Sequence, residues 1–334
     1  MPLTLEQAKV GMADRIDQTV IDEFRRDSFI LDMLTFDNAV SPGTGGSTLT
    51  YGYTQLLTPS VAEGRKLNSE YTAGEALRTT KAINLKIFGG AFEVDRVLEK
   101  TAAKSEISFQ LQQKTKAVAN KFHNDFINGK STAKGKADTN ATAFDGLDVL
   151  CKGLSTEYTP DAAIDLSTAE KIKANAEGFV FALDNWLATL SQKPDALLCN
   201  SKLATDLKFV AKEMGYYTHS EDAFGRGVDN YDGIPIVDMG KYYDGTAKKT
   251  VDVVSIDSKT GTTSLYAVCF GLDAVHAVSP KGEKIINTYL PNLDQPGAVK
   301  RGEVEMVAGI VLKDSTKAGV FRNIQVEAAA SAGA

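Results

Sequence analysis

The sequence has few of the residues that build metal sites, disulfides and catalytic centres. Its 334 residues include three cysteines and three histidines, all far apart along the chain, and no Cys-x-x-Cys pair. A structural zinc site needs four clustered ligands, and a disulfide framework needs closely spaced cysteine pairs. We therefore predict that Cys151, Cys199 and Cys269 are small buried residues in a reducing compartment, and that the chain uses no metal or cofactor.

Long apolar runs and an excess of basic charge are also missing. No run approaches the roughly 20 apolar residues that span a bilayer, and the first residues lack the basic and apolar segments of a secretion signal. The net charge is −6, and Lys and Arg are not clustered as they are in proteins that bind nucleic acid through a basic surface. We expect no membrane association, and the composition does not indicate nucleic-acid binding through a basic surface.

No motif for phosphate binding or nucleophilic catalysis is present. The Gly-rich segment 42–48 lacks the Gly-Lys-Ser/Thr ending of a nucleotide loop, and no G-x-S-x-G elbow occurs. Residues 219–222 (His-Ser-Glu-Asp) include the residue types of a hydrolase triad, but triad members normally converge from separate segments. We predict that the chain is not an enzyme, with a soluble α/β hydrolase as the alternative outside the structural proteins.

The most informative segment that is present covers residues 41–100. Residues 48–56 are rich in Thr and Tyr, and residues 82–94 are apolar with a Gly89-Gly90 break, so two strands are predicted. About two dozen mostly small or charged residues separate them, which is long for a loop without its own core. Ordering that backbone costs about 1–2 kcal/mol per residue. We therefore expect an arm that settles on a neighbouring subunit, with the glycine pair as a bend in it.

A long helix is predicted over residues 103–129, with Ser105 as a start signal and Gly129 as its end. Its apolar stripe consists of Ile107, Leu111, Val118, Phe122 and Phe126. At 1.5 Å per residue this helix would be about 40 Å long. Residues 4–35 also have helical character, with an apolar face that needs a partner surface.

The second half of the sequence alternates helices and strands. Residues 167–170 predict a capping box at a helix start, and a second helix is predicted over residues 181–190. A buried strand at residues 196–199 is followed by a helix over residues 202–214, capped by Asn200 or Ser201. Further strands are predicted at residues 234–237, 264–270, 274–278, 303–312 and 319–326. This order predicts a central sheet with helices on its faces.

Five phrases carry a resemblance to a known family. They are VIDEFRRDSFILDML (20–34), FDNAVSPGTGGSTLTYGYT (36–54), KIFGGAFEVDRVL (86–98), FDGL (144–147) and YDGIPIVDMG (231–240). Together with the order of elements, they resemble the major capsid proteins of tailed bacteriophages, which have the Hong Kong 97-type fold. The resemblance covers nearly the whole chain.

That resemblance implies an α+β fold with named parts. They are an N-terminal arm at residues 1–46, an extended two-stranded loop (the E-loop) at residues 47–92, a peripheral domain with a long spine helix at residues 93–149 and 286–326, an axial domain at residues 150–285, and a disordered tail at residues 327–334.

The resemblance also implies a function. The chain would self-assemble into the pentamers and hexamers of an icosahedral phage head that encloses double-stranded DNA. It would be found in the virion capsid after assembly in the host bacterial cytoplasm. A separate scaffolding protein is expected, because the arm begins within a few residues of Met1, and a portal would be a further partner. An encapsulin-like nanocompartment shell is the alternative within the fold.

The resemblance places the inter-subunit contacts in three regions. Some family members also join an E-loop lysine to a neighbour's asparagine, and here Lys66 or Lys81 with Asn287 or Asn292 would be the residues, although no local motif supports the link. The predicted contacts are Tyr51, Tyr53, Leu57, Arg65, Lys66, Leu67, Tyr71, Leu77, Phe88 and Phe92 in the E-loop, Ile16, Val20 and Phe24 in the N-terminal arm, and Tyr217, His219, Phe224 and Arg226 in a loop near the symmetry axis.

Overall fold

The computed structural model describes residues 29–39, 48–58, 60–101, 105–133, 136–137, 141–215, 218–221, 227–245, 248–280 and 286–329. The predicted contacts Ile16, Val20, Phe24, Tyr217, Phe224 and Arg226 lie outside these residues. The side chains of Leu57 and His219 are outside the description too, although their backbone is included.

The described helices range from one turn to six. They are α1 (Phe29–Met33), α2 (Arg96–Thr101), α3 (Glu106–Asn128), α4 (Leu147–Leu150), α5 (Ala169–Leu187) and α6 (Ser201–Glu213).

The described strands fall into two large sheets and three two-stranded pairs. They are β1 (Phe36–Ala39), β2 (Thr50–Thr58), β3 (Leu77–Asn84), β4 (Lys86–Asp95), β5 (Thr132–Ala133), β6 (Lys136–Ala137), β7 (Glu157–Tyr158), β8 (Ile164–Asp165), β9 (Ala196–Cys199), β10 (Thr218–Glu221), β11 (Gly227–Tyr231), β12 (Ile234–Asp238), β13 (Lys241–Asp244), β14 (Lys249–Asp252), β15 (Thr262–Val268), β16 (Val275–Pro280), β17 (Ile286–Tyr289), β18 (Val299–Leu312) and β19 (Ala318–Gln325).

Helix α3 confirms the long helix predicted over residues 103–129. The Ser105 hydroxyl accepts a hydrogen bond from the Ser108 N–H at 3.2 Å, and the Gly129 N–H donates to the Asp125 carbonyl. This serine cap satisfies one of the backbone donors that a helix start leaves unpaired. Val118, Phe122 and Phe126 of the predicted stripe are buried. They form the core between α3 and the first sheet.

The first sheet has the order β1-β16-β18-β17, and β4 also pairs with β18. The antiparallel pairing of β4 with β18 is regular over ten positions, from Val299↔Asp95 to Ala308↔Lys86. On β4, Phe88, Phe92 and Val94 are buried, as the two-residue repeat of a strand with one core face requires. Residues 86–92, predicted as the end of the E-loop, therefore pair within this sheet, and the pairing of β2 with β3 ends at Asn84.

The glycine pair at 89–90 lies inside β4 and does not bend the E-loop, contrary to the prediction. A Cβ on Gly89 would lie 2.1 Å from the Val304 carbonyl oxygen of the paired strand, whereas a Cβ on Gly90 would meet only the flexible side chain of Lys114. Gly89 thus permits a close approach of two backbones, one of the reasons for glycine in a strand.

This contact predicts that Gly89→Ala destabilises the subunit by about 1–3 kcal/mol, because the strands must separate to admit a methyl group. The matched control is Gly52→Ala in β2, where a Cβ would have no atom within 4 Å. We expect the control to change stability by less than about 0.5 kcal/mol. Urea unfolding of the two variants measures the difference, and equal midpoints would contradict this reading.

The second sheet has the order β10-β11-β12-β9-β15-β19-β7, with β8 also paired to β19. Helices α5 and α6 pack together against one face of it. Leu197 and Cys199 of β9 point into that helix-covered core, and Ala196 and Leu198 point into the core shared with α3. The predicted sheet with flanking helices is thus present, with α5 and α6 on a single face.

Three predicted boundaries need correction. Residues 169–187 form one continuous helix where two were predicted, and its cap is Thr168, whose hydroxyl accepts from the Lys171 N–H. Strand β16 belongs to the first sheet and β19 to the second, so a peripheral domain at 286–326 and an axial domain at 150–285 do not match the pairing. In the predicted disordered tail, the Glu327 N–H donates a hydrogen bond to the Gly261 carbonyl, and residues 330–334 lie outside the described residues.

Candidate assembly surface

The E-loop is a two-stranded ribbon with an apolar base. Strands β2 and β3 pair antiparallel from Thr50↔Asn84 to Thr58↔Leu77. The E-loop base, which we define as Tyr51, Tyr53, Ile83 and Leu85, packs on the outer face of the first sheet. The sheet residues beneath it, which we call the seat, are Ala39, Val278, Val307 and Val311. A hairpin alone is marginal in water, so this packing anchors the ribbon on its own subunit.

The rings of Tyr53, Phe88 and Phe92, which were predicted as inter-subunit contacts, are buried within the subunit itself. Tyr53 is 8% exposed and, as part of the E-loop base, packs on the seat. Phe88 stacks on Phe122 of α3 with ring centroids 6.3 Å apart. The side chain of Phe92 fills the space above Gly302 of β18. Own-chain packing already covers these rings, and the alternation of residues 88, 92 and 94 was the signal that could have revealed it.

Tyr51 connects the E-loop to the arm strand β1. Its hydroxyl donates a hydrogen bond to Asp37 Oδ2 at 2.7 Å, and its ring stacks on Tyr53. Burial raises the pKa of the Tyr51 hydroxyl, and the Asp37 carboxylate raises it further. Burial also raises the pKa of Asp37, but its hydrogen bonds from Tyr51 and the Asn38 N–H outweigh that effect and leave the pKa lowered. At neutral pH the Asp37 carboxyl group is therefore ionised and the Tyr51 hydroxyl is protonated.

Beyond the base, the ribbon ends in an exposed tip. Every described side chain from residue 60 to residue 78 is exposed. Leu67 is 91% exposed, and Val61, Tyr71 and Leu77 also present most or half of their apolar surface to water. Large apolar side chains gathered on one projecting segment are typical of a contact surface. Of the predicted contacts, Leu67, Tyr71 and Leu77 are exposed apolar side chains of this kind, and Arg65 and Lys66 are exposed charged residues of the same segment.

The tip contains a compact turn made from its own residues. The Ser69 hydroxyl donates to the Lys66 carbonyl at 2.8 Å, and Arg65 Nη1 donates to the Ser69 carbonyl at 3.1 Å. Asn68 adopts a positive φ of 66°, a conformation that asparagine tolerates better than most residues. The Arg65 guanidinium lies 5.4 Å from the centre of the Tyr71 ring. This turn holds Leu67 outward without help from the rest of the subunit.

A second surface feature lies on the polar side of α3. A cleft of about 480 Å³ is lined by Lys116, Asn120, Lys121 and Asn124 of the helix and by Tyr242 and Tyr243 of β13, among others. Lys121 pairs with the buried Asp125 at 2.6 Å. Amides, lysines and tyrosines in one cleft can hydrogen bond to an extended peptide. Sequence reasoning missed this site because the helix and the hairpin are more than a hundred residues apart.

The residues considered for chemistry do not converge. Within the described part of the chain, no three His, Cys, Asp or Glu residues are grouped to hold a metal. Cys151, Cys199 and Cys269 are free and buried, as predicted, and burial raises the pKa of the Cys151 thiol to about 12. His219 and Ser220 are successive register positions of β10, and their side chains lie outside the described residues.

Among the described residues, no helix is both long enough and apolar enough to cross a bilayer.

No protein-family model and no curated protein matches the sequence. Solved structures do match, over nearly the full length of both chains. The encapsulin of the holo-SrpI complex from Synechococcus elongatus PCC 7942 has a TM-score of 0.64 at 11% identity and covers 99% of this chain and 100% of its own. The capsid of a native GTA particle has a TM-score of 0.57 at 12% identity, and the match covers 93% of this chain and 95% of the capsid chain. The Mycobacterium phage Bobi structure has a TM-score of 0.56 at 12% identity, covering 96% and 98%.

These likenesses establish the fold. The chain has the shell-protein fold that phage capsids share with an encapsulin, which confirms the predicted tailed-phage capsid fold and its α+β class. The structures it resembles are shell proteins, not enzymes. At 11–12% identity the comparison stops at the fold, so the function is argued next from the surface.

Proposed function

We propose that this chain is a structural protein that assembles with copies of itself into a closed shell. The observation that carries the proposal is the E-loop, whose base is fixed on its own subunit while its tip exposes Leu67, Tyr71 and Val61. A tip without a core is stable only as a surface segment or on a partner. One subunit that places its arm on the next makes a head-to-tail contact, and such contacts close into rings when the rotation allows.

The contact energy of one tip is modest and suits a large assembly. Fully burying a leucine side chain contributes about 1.5–3 kcal/mol. Exposed ion pairs of Arg65, Lys66, Glu70 or Glu75 with a neighbour would add about 0–1 kcal/mol each. Contacts of this strength allow subunits to dissociate and correct errors, while their repetition through a shell makes the finished particle stable.

The finer form of the proposal is an icosahedral phage head built from pentamers and hexamers around double-stranded DNA. The GTA and phage structures with the same fold favour it. The net charge of −6 is compatible with packaged DNA only if the contacts are sparse, salt-screened and independent of sequence. The particle would form in the host cytoplasm and become the virion capsid. A separate scaffolding protein and a portal are the further partners that this form of the proposal requires.

A specific observation also supports an encapsulin-like shell as a second candidate. The encapsulin structure overlays on this chain with a TM-score of 0.64, above the 0.57 of the GTA capsid. The cleft beside α3 has the size and polar lining to receive an extended segment of a cargo protein. In that case the shell would enclose an enzyme, and DNA would be absent.

The contents of particles from cells with the native gene test both forms. We expect particles that sediment as large shells and protect double-stranded DNA of defined length from nuclease. Particles that lack nucleic acid but hold one enzyme at constant stoichiometry would overturn the phage-head form and support the encapsulin-like one. A chain that never sediments faster than a small oligomer would overturn both.

A further inference from the structure

The most unusual buried group outside the tip is His276 on β16. Its side chain has no solvent exposure, and among the described residues neither ring nitrogen has a hydrogen-bond partner of normal geometry. An imidazole always carries at least one N–H donor, and burying a polar group without a partner is unfavourable by about 1–3 kcal/mol. A leucine or phenylalanine at this position would avoid that penalty. The histidine therefore calls for an explanation other than packing.

His276 lies directly under the E-loop base. Its ring meets the Tyr51 ring edge-on, with centroids 6.0 Å apart and planes at 78°. Two residues further along β16, Val278 is part of the seat on which the E-loop base rests. Tyr51 itself is held from two other elements, by the hydrogen bond to Asp37 of β1 and by Lys313 Nζ, 5.7 Å from its ring centre. Four elements thus meet at this one histidine.

The charges around His276 oppose its protonation. Burial lowers the pKa of His276, the nearby Lys313 ammonium lowers it further, and the Asp37 carboxylate and the backbone of Gly271 and Ala274 only partly compensate. Asp37 faces the site from β1, Tyr51 from β2 and Lys313 from the end of β18. Asp37 has a lowered pKa and stays ionised in mild acid, and Tyr51 stays neutral because its pKa is raised. His276 is therefore the group at this junction whose ordinary pKa, near 6.5, lies in the mildly acidic range, and burial lowers that pKa in the seated state.

We propose that His276 is an acid-sensitive latch that holds the E-loop base on its own subunit when neutral and releases it when protonated. A proton on a buried imidazole needs water or a carboxylate partner. The E-loop base is held by its own small apolar cluster, by the hydrogen bond from Tyr51 to Asp37 and by Lys313, and it belongs to neither of the two larger cores. Lifting Tyr51 away would admit water to His276 and free Asp37 to pair with the new cation. The E-loop of a shell protein would then change its direction in response to pH.

The sign of the effect follows from linkage. In the released state the imidazole is in water and has its ordinary pKa near 6.5, whereas in the seated state the pKa is lower. The seated state is thus fully stable above about pH 6.5. Below that pH the ratio of released to seated molecules rises by up to tenfold per pH unit, until the pH reaches the pKa of the seated state.

Amide hydrogen exchange of the full-length, unassembled chain between pH 7.5 and 5 tests this latch. After correction for the pH dependence of exchange chemistry itself, protection of β2 and β3 near the base is expected to fall by up to tenfold per pH unit below about 6.5. Protection of α5, in the other core, is expected to stay constant. The variant His276→Phe should abolish the pH dependence, and His276→Gln serves the same purpose if the phenylalanine variant does not fold.

His123 provides the matched control. It is also a largely buried histidine, on α3, and burial lowers its pKa to about 4. The variant His123→Phe should keep the wild-type pH profile at the E-loop base. The variant Lys313→Met should reduce the total change, because the seated histidine loses a cation that opposes its proton. A β2 profile that is flat in the wild type, or one that His276→Phe and His276→Gln leave unchanged, would overturn the proposal while leaving the shell function intact.

Discussion

A subunit in which a short Gly-Ser turn replaces residues 59–76 is expected to fold normally and to form no shells. The described part of this segment is exposed throughout, and the hydrogen bonds of its turn join its own residues. Removing it takes nothing from either core, so we expect the unfolding free energy to change by less than about 0.5 kcal/mol. The apolar surface that meets a neighbour is lost, however, and with it the attraction between subunits.

Point variants distinguish the contribution of the apolar side chains of the tip to assembly from the contribution of its length. Leu67→Ser combined with Tyr71→Ser keeps the arm but removes its two most prominent apolar side chains. Each buried contact contributes about 1.5–3 kcal/mol, so the concentration needed for assembly should rise at least tenfold. The control Glu70→Gln with Glu75→Gln changes exposed polar residues of the same segment and should shift assembly less, because exposed ion pairs contribute about 0–1 kcal/mol each. Light scattering against subunit concentration gives the comparison. Unchanged assembly of the shortened subunit would show that the E-loop does not make the contact.

The second large effect is expected at the spine helix. Phe122 is fully buried and contacts Phe36, Phe88, Phe126 and Phe144 with centroids 5.7–6.5 Å apart. Truncation of such a ring leaves a cavity at the centre of the core, so Phe122→Ala should lower stability by about 3–5 kcal/mol. That is a large share of the 5–15 kcal/mol that stabilises a typical domain.

The same substitution at Phe109 provides the control, because this residue is on the same helix but 41% exposed. Phe109→Ala should cost less than about 1 kcal/mol, since little apolar surface leaves the core. Thermal unfolding of the unassembled subunits by circular dichroism distinguishes the two. A loss of similar size in both variants would mean that the ring cluster at Phe122 is not the centre of the core.

Local sequence patterns were enough to predict the helices and strands whose ends are fixed by residues close to them in the chain. The spine helix follows from its apolar stripe, the Ser105 cap and the Gly129 end, and the structure agrees within three residues at the start and one at the end. The Asn200 cap of α6 and the buried strand β9 follow from equally local patterns. His123, interpreted as a partly buried packing residue, has that environment in the structure.

These local patterns could not predict which distant strands pair with each other. Residues 82–94 read as one strand, yet β3 pairs with β2 while β4 pairs with β18. The strand that pairs with β4 lies more than two hundred residues further along the chain, so no local pattern separates β3 from β4. The same reason explains why β16 joins the first sheet and β19 the second. Because sheet membership depends on which strand edge is available in the folded subunit, the order of elements in the sequence did not predict which sheet either strand joins.

For the assembly surface, the sequence indicated the arm but could not sort its aromatic residues. Tyr51, Tyr53, Phe88 and Phe92 have similar chemistry and similar neighbours in the sequence, and the structure places three of them in the subunit's own core. The tip turn of Arg65, Ser69 and Tyr71 also had no recognisable motif. Its contacts are made by side-chain geometry around Asn68, which becomes visible only in three dimensions.

Cryo-electron microscopy of the purified chain, alone and co-expressed with a candidate scaffolding protein, tests the central claim most directly. We expect closed shells, or rings of five and six subunits, with density for residues 60–76 of each subunit lying on a neighbour. A population of monomers or dimers under both conditions would contradict the shell function. Closed shells in which residues 60–76 touch no neighbour would retain the function and contradict the role of the E-loop tip.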